Sequence, residues 1–109
     1  MLKLVLSNCD PDEYNIMKLE DYFYWQEHLV IVTELLGDNL YEFDMNYRKR
    51  SGDSYFTSKR LKDIARQILT SLKKLHSINI LHCDIKPENV LIKNEHNNSV
   101  RFSFLIKFR

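Results

Sequence analysis

The sequence predicts an α+β fold, and three observations lead to this class. Residues 17 to 33 have the alternating and β-branched pattern of two strands, and residues 58 to 77 repeat apolar residues at helical spacing. Residues 90 to 92 form a short apolar run that is typical of a third strand. With 109 residues, the chain forms at most one domain.

The first two strands are predicted to form a hairpin. From Met17 to Trp25, apolar residues fall mostly on one side and polar residues or tyrosines on the other, which is the period of a strand rich in aromatics. Gln26 and Glu27 then make a tight turn. The following run, His28 to Thr33, is apolar and β-branched, so we expect it to pair with the first strand.

Two shorter helices are predicted on either side of this hairpin. Residues 1 to 7 have the character of the last turns of a helix, and we expect Pro11 to stop regular structure. Leu40 to Tyr47 is predicted to be a short helix. Residues 48 to 53 are predicted to be a polar loop whose three consecutive basic residues are solvated.

The longest helix is predicted from Ser58 to Ser77, with Thr57 as its N-cap. Its apolar residues follow steps of three and four and are predicted to share one face: Leu61, Ile64, Ala65, Ile68, Leu69, Leu72 and Leu75. Burying each large one contributes roughly 1.5–3 kcal/mol where a partner surface exists. We therefore expect further helices or a partner protein to cover this face. After a loop over residues 82 to 89, short strands are expected at residues 90 to 92 and 100 to 108.

Composition argues against several classes of function. The net charge of +1 gives no reason to expect a nucleic acid or a membrane surface as partner, and no apolar run approaches the length of a membrane-spanning helix. Cys9 and Cys83 are far apart and have no metal-like spacing, so we expect a reducing compartment. Because no targeting segment is recognisable, the cytoplasm or the nucleus is the expected location.

The most informative segment is residues 82 to 92, His-Cys-Asp-Ile-Lys-Pro-Glu-Asn-Val-Leu-Ile. It resembles the catalytic loop of protein kinases, H-R-D-L-x-x-x-N, which a short strand follows. The resemblance implies that Asp84 accepts the hydroxyl proton of a protein substrate, that Lys86 offsets charge on the transferring phosphoryl group, and that Asn89 binds Mg²⁺. The run Lys-Pro-Glu-Asn is similar to serine/threonine kinases. The alternatives are a polar loop without chemistry and a zinc site, which lacks a second ligand cluster at useful spacing.

A second resemblance lies upstream, where residues 29 to 36 read Leu-Val-Ile-Val-Thr-Glu-Leu-Leu. Alone this segment is only a buried strand, but its position before the loop resembles the fifth strand and hinge of a kinase. The resemblance implies an ATP site with a gatekeeper at its back, two backbone contacts to adenine, a ribose contact and an apolar floor. Thr33 is in the place of the gatekeeper, and Glu34 and Leu36 are in the places of the two adenine contacts. Asn39 is in the place of the ribose contact, and Leu91 is in the place of the apolar floor.

Both segments together resemble the dual-specificity tyrosine-regulated kinases (DYRK) of the CMGC group. Residues 34 to 36, residues 39 to 43 and the Cys83 of the His-Cys-Asp run carry this likeness, because that family also has cysteine where most kinases have arginine. The arginine normally pairs with a phosphorylated activation loop, which a thiol cannot do. Thr33 departs from the bulky gatekeeper that is common among close relatives.

The resemblance implies a partial protein-kinase-like fold, with residues 1 to 36 as a small-lobe remnant and hinge and residues 37 to 109 as the start of the large lobe. The 109 residues hold no G-x-G-x-x-G, and Phe104-Leu105-Ile106 stands where a kinase has Asp-Phe-Gly. We therefore expect kinase ancestry without activity in this chain alone. Two alternatives stay open: a non-catalytic remnant that binds a partner protein, and an incomplete gene model with a misplaced splice boundary after Val100.

Overall fold

The computed structural model describes residues 2 to 103, without the side chain of Leu2. Two antiparallel hairpins and four helices confirm the α+β class. The elements are α1 (Leu2–Asn8), α2 (Pro11–Tyr14), β1 (Leu19–Trp25), β2 (His28–Thr33), α3 (Leu40–Ser51), α4 (Ser58–Ser77), a 3₁₀ turn (Pro87–Asn89), β3 (Val90–Asn94) and β4 (Ser99–Phe102). Within these described residues, no helix is long and apolar enough to cross a membrane. The strand expected over residues 100 to 108 ends at Phe102, and the predicted part from residue 104 onward lies outside the described residues.

The hairpin and the long helix follow the sequence prediction. Gln26 and Glu27 have φ angles of 44° and 66°, the left-handed pair that suits a two-residue turn between twisted strands. Thr57 caps α4, because its hydroxyl oxygen accepts a hydrogen bond from the Arg60 N–H at 3.3 Å. Both features are local, so neighbouring residues alone are enough to predict them.

Two helix boundaries were predicted wrongly. Pro11 begins a helix instead of stopping one, because Asp10 caps α2 and a proline in the first turn loses no helical hydrogen bond. The third helix, α3, runs to Ser51 rather than Tyr47, so the three basic residues form its last turn. Positive charge is favourable at a helix C-terminus, and Gly52, with φ of 80°, ends the helix in the left-handed conformation.

The core consists of two apolar clusters along α4, the larger against its first half and middle and the smaller against its end. The larger cluster joins α3, α4 and the second hairpin through Leu40, Phe43, Tyr55, Ile64, Val90, Ile92, Val100 and Phe102. The smaller one joins α1, the start of β1 and the end of α4 through Val5, Cys9, Ile16, Leu19, Leu75 and Ile80. Between them the fully buried Ser71 donates its hydroxyl to the Tyr14 carbonyl at 2.7 Å. That bond ties α4 to the segment that precedes β1.

Only part of the predicted apolar face of α4 is covered. On one side, four of its side chains are buried or packed against the core: Ile64, Ile68, Leu72 and Leu75. The other three, Leu61, Ala65 and Leu69, are exposed, the two leucines to 50% and 65%. The prediction of one shared buried face was therefore too broad, because the seven residues span more of the helix circumference than the second hairpin covers.

Candidate active site

The loop between α4 and β3 brings together the three side chains predicted to act in catalysis. The Asn89 side-chain nitrogen donates to the Asp84 backbone carbonyl at 2.7 Å and to the Asp84 carboxylate Oδ2 at 3.0 Å. The Lys86 ammonium lies 3.3 Å from the same Oδ2. A carboxylate, a cation and an amide therefore meet at one point of the loop. A carboxylate held in this way can accept a proton from a bound molecule, and the cation beside it can stabilise negative charge on that molecule.

The backbone at Cys83 makes this arrangement possible. Its φ of 62° is in the left-handed region, which is uncommon for a residue other than glycine and costs of order 1–3 kcal/mol. The turn lets His82 enter the core while the thiol of Cys83 stays exposed. Downstream, the Asn89 N–H donates to the Lys86 carbonyl at 3.0 Å and closes the loop.

His82 packs against the loop and supports it. In the sequence, the only indication of this role was its position as the first residue of the motif. Its ring stacks on Phe102 with centroids 4.1 Å apart, and Nε2 lies 2.7 Å from the Ser103 carbonyl oxygen. The Asp84 N–H donates to Nδ1 at 3.2 Å. Because Nδ1 accepts this bond, we assign the ring proton to Nε2, which donates to Ser103. The imidazole ring thus connects β4 to the backbone of Asp84.

The predicted hinge is joined to the second hairpin through backbone hydrogen bonds. Gly37 donates to the Ile92 carbonyl and Ile92 donates to the Asp38 carbonyl, both at 2.9 Å. Asn39 and Leu91 form an antiparallel bridge beside them. The residues predicted at the ribose and under the base are therefore neighbours. The Asn39 side-chain oxygen also caps α3 by accepting from the Glu42 N–H at 2.9 Å, and its Nδ2 is the donor that could reach a ribose.

The start of the hinge is held by Glu34. Its N–H donates to the Lys18 carbonyl at 3.0 Å, and its carboxylate accepts from the Lys18 N–H at 2.9 Å. Thr33 donates its hydroxyl to the Glu34 carbonyl at 3.2 Å, which belongs to the backbone predicted to contact adenine. A carbonyl oxygen has two lone pairs, so a second donor can still bind there. Leu36 is half-buried, whereas Leu35 projects into solvent.

Comparison with known proteins shows the family of this chain. Residues 4 to 107 match the family model described as the protein kinase domain. The chain belongs to the protein kinase family. It is 39% identical over 97 residues to the DYRK-family kinase pom1 of Schizosaccharomyces pombe. The aligned region covers 88% of this chain and 9% of pom1.

Two further relatives agree. The chain is 34% identical over 97 residues to the dual specificity tyrosine-phosphorylation-regulated kinase 2 of Drosophila melanogaster, covering 88% of this chain and 13% of that protein. It is 36% identical over 87 residues to the homeodomain-interacting protein kinase 1 of Mus musculus, covering 80% of this chain and 7% of that protein. The chain thus spans about a tenth of the length of these relatives. They confirm the predicted likeness to DYRK and related CMGC kinases and the partial kinase fold.

Arg101 is a buried cation beside the predicted hinge of this kinase chain, and the sequence alone did not indicate it. It is only 3% exposed, and its guanidinium contacts Asp12, the Asn15 side chain at 3.5 Å and, more distantly, the Glu34 carboxylate at 3.8 Å. Its Nε is buried without a hydrogen-bond partner among the described residues. The hydrogen bond and charge of Lys93, followed by the charge of Arg101, lower the pKa of the Asp12 carboxyl. This cation links α2, the hinge and β4.

The kinase family uses ATP and Mg²⁺. The side-chain oxygen of Asn89 fits a Mg²⁺ ion whose other ligands are mostly phosphate oxygens of the nucleotide. Within residues 2 to 103, no three His, Cys, Asp or Glu side chains are arranged to hold a metal ion. Asn89 bonds to Asp84 through its nitrogen, so its side-chain oxygen is the atom that the sequence prediction assigns to the metal. Mg²⁺ prefers oxygen ligands and is usually held by few protein groups plus substrate phosphates.

The predicted ATP residues do not line either of the two cavities that are described in this kinase chain. One cavity, of about 720 Å³, lies between the end of α3 and the start of α4, and the other lies beneath α1. Thr33, Glu34, Leu36, Asn39 and Leu91 belong to neither of them. The expectation about Phe104-Leu105-Ile106 at the place of Asp-Phe-Gly lies outside the described residues.

Proposed function

We propose that this chain carries the hinge and catalytic loop of a protein serine/threonine kinase that uses ATP with Mg²⁺. The main support for this proposal is that Asp84, Lys86 and Asn89 meet within one loop of a chain that belongs to the protein kinase family. In this proposal, residues 1 to 36 are the end of the small lobe with the hinge. Residues 37 to 109 are the start of the large lobe.

Asp84 is proposed to accept the proton of the substrate hydroxyl. Its carboxylate is held by Asn89 and faces Lys86, so little side-chain freedom is lost when a hydroxyl group approaches. Lys86, which is exposed, is proposed to turn from this carboxylate to the transferring phosphoryl group and offset its charge. Asn89 is proposed to position Asp84 and to offer its oxygen to the metal. Bound MgATP supplies the phosphoryl group and the charge that screens its oxygens.

The hinge is proposed to bind the adenine edge through backbone groups. The Glu34 carbonyl accepts and the Leu36 N–H donates, while Thr33 lies at the back of the site. Leu91 provides the apolar floor, and its bridge with Asn39 holds floor and ribose contact together. Rigid backbone groups suit this task because they are already oriented before the nucleotide arrives.

The 109 residues alone are proposed not to transfer phosphate. They contain two glycines, too few for the G-x-G-x-x-G loop that covers the phosphates of a kinase-bound nucleotide. Phe104 stands at the place of a carboxylate that ligates Mg²⁺ in kinases. Because phosphoryl transfer depends on positioning and charge stabilisation, both differences remove large parts of the rate acceleration.

A chimera tests the proposed roles separately from the activity of this chain. Residues 17 to 103 would replace the matching segment of a DYRK-family kinase, and phosphorylation of a serine-containing peptide would be measured. We expect the chimera to be active and Asp84→Asn to lower kcat by about 10²–10⁴ with little change in MgATP affinity. Asp53→Asn, at an exposed aspartate outside the loop, is the matched control. An active Asp84→Asn chimera would refute the role of Asp84, and robust turnover by the isolated chain would refute its inactivity.

Partner binding through α4 is a second candidate function. The exposed Leu61 and Leu69 offer an apolar strip that favours a covering protein surface. In this case Leu69→Lys would abolish a folded complex, whereas Asp84→Asn would leave it intact. Loss of the complex in both variants would instead argue against a separate binding role.

A further inference from the structure

The cavity of about 720 Å³ lies apart from the catalytic loop and has no part in the proposed kinase chemistry. It is bounded by the end of α3, the start of α4 and the turn between β3 and β4. Its size is within the range of ligand-binding clefts. The lining residues that matter here are Tyr47, Arg50, Tyr55, Lys59, Arg60 and His96.

The charge on this cavity is predominantly positive. Arg50 comes from the last turn of α3, and Lys59 and Arg60 come from the first turn of α4, so two basic stretches that are separate in the sequence face one space. Glu95 is the acidic residue in the lining, and the first turn of α4 contains no acidic residue. A concave surface lined by one sign of charge concentrates ligands of the opposite sign.

The wall of the cavity is a fixed group of aromatic rings. The buried Tyr55 ring meets Phe43 edge-on at 4.7 Å and Tyr47 edge-on at 5.4 Å, measured between centroids. Arg60 lies 4.4 Å above the Tyr55 ring and donates to the Tyr55 carbonyl at 2.9 Å. The Tyr55 hydroxyl donates to the Asn98 side-chain oxygen at 2.7 Å. This wall needs little reordering on binding, which lowers the entropy cost of a complex.

We propose that this cavity binds an acidic peptide segment of a partner protein. Its carboxylates would pair with Arg50 and Lys59, and one apolar side chain would pack on the half-buried Tyr47 ring. Spaced carboxylates fit better than one phosphate group because the cations come from two different helices. In addition, the Thr57 hydroxyl oxygen already accepts the Arg60 N–H at 3.3 Å, so the start of α4 offers a phosphate one backbone donor fewer.

The test is fluorescence anisotropy of the purified full chain with a labelled peptide of glutamates around one phenylalanine. A peptide with glutamine in place of glutamate controls for charge, and a peptide with a single phosphoserine among glutamines tests the phosphate alternative. The double variant Arg50→Glu with Lys59→Glu is compared with Lys73→Glu, an exposed lysine of α4 outside the cavity. We expect the double variant to weaken binding about tenfold or more, since two rim attractions become repulsions, and Lys73→Glu to change it little.

Circular dichroism of each variant decides whether it is folded. If the double variant does not fold, Lys59→Glu alone replaces it, with an expected weakening of about threefold. The proposal is overturned if the glutamate peptide does not bind, if it binds no better than the glutamine peptide, or if Lys73→Glu weakens it as much as the cavity variants. Tighter binding of the phosphoserine peptide would equally overturn the assignment to carboxylates.

Discussion

Asn89 spans the proposed catalytic loop by donating two hydrogen bonds to Asp84, one to the backbone carbonyl at 2.7 Å and one to the carboxylate at 3.0 Å. The side chain is buried beneath the loop, so water does not readily replace either bond. The residue proposed to ligate Mg²⁺ is therefore also a structural brace. Its two roles use different atoms, the nitrogen for the brace and the oxygen for the metal.

The first prediction concerns this brace. Asn89→Ala should lower the free energy of unfolding by about 1–3 kcal/mol, because the carbonyl and the carboxylate of the partly buried Asp84 each lose a donor. Asn89→Asp should cost more, because it also places a second negative charge against Asp84. Urea unfolding followed by circular dichroism measures both. Glu88→Gln, at the exposed neighbour, should have little effect, and equal loss from that control would contradict the assigned brace.

The second prediction concerns the two glycines of the chain, which should respond to substitution for different physical reasons. A Cβ on Gly37 would lie 3.1 Å from the Ile92 carbonyl oxygen, the same oxygen that accepts the Gly37 N–H. Gly52 has open space around it but a φ of 80°. Asparagine tolerates the left-handed conformation, so Gly52→Asn should be nearly neutral. Gly37→Asn should lower stability by about 1–3 kcal/mol, since it strains a backbone bond between hinge and β3.

Thermal unfolding of the two variants, with alanine at each position, completes this test. Gly52→Ala should cost about 1 kcal/mol because alanine lacks the local hydrogen bonds that let asparagine adopt positive φ. The steric reading of Gly37 would fail if Gly37→Asn unfolded at the temperature of the unsubstituted chain.

The features predicted from the sequence are those that neighbouring residues determine. The length and cap of α4 follow from its apolar spacing and Thr57, and the turn at Gln26 and Glu27 follows from the two strands around it. Asp84, Lys86 and Asn89 were recognised through a motif with fixed spacing. Their convergence is local as well, since the three lie within six residues of chain.

The features that were missed depend on residues far apart in the sequence. Burial of Arg101 requires Asp12 and Glu34, which reach it from the other end of the chain. The burial of Ser71 likewise depends on the distant Tyr14 carbonyl. The extra turn of α3 was missed for a different reason: three adjacent basic residues indicate a solvated surface equally well in a loop and in a helix.

The third prediction concerns Arg101 and its two acidic neighbours. Asp12 is nearer to the guanidinium but is 79% exposed, whereas Glu34 is 18% exposed. Solvent weakens the exposed pair more than the buried one, so Arg101 should be coupled more strongly to Glu34 than to Asp12. Arg101→Met should lower stability by about 1–3 kcal/mol, because it leaves the Glu34 carboxylate partly buried beside an apolar chain.

Double-mutant cycles measure these couplings directly. Glu34→Gln in the Arg101→Met background should restore part of the lost stability, since the uncompensated charge is removed. Asp12→Asn in the same background should restore less. A larger coupling to Asp12 than to Glu34 would show that proximity, and not burial, governs this network.

The fourth prediction is a pH dependence that arises at Asp44, outside the catalytic loop. Its carboxylate is 14% exposed and accepts hydrogen bonds from Arg48 at 2.7 Å, the Tyr55 N–H at 2.8 Å and the Ser54 hydroxyl at 3.0 Å. Burial by itself raises the pKa of this carboxyl, but the three bonds and the charge of Arg48 outweigh it, so the pKa lies below its ordinary value of 3.8.

A carboxyl whose pKa is lower in the folded state stabilises the fold above its unfolded pKa, and this contribution is lost as the pH falls through the folded pKa. Asp44→Asn should therefore lower the free energy of unfolding by about 1–3 kcal/mol at neutral pH, because the charge-assisted bonds are lost. The difference should shrink once the pH falls below 3.8, where the carboxylate of the unsubstituted chain becomes protonated. Urea unfolding across this range measures it, with Asp53→Asn as the exposed control. A difference that stays constant from neutral to acidic pH would mean that Asp44 acts through packing rather than through its charge.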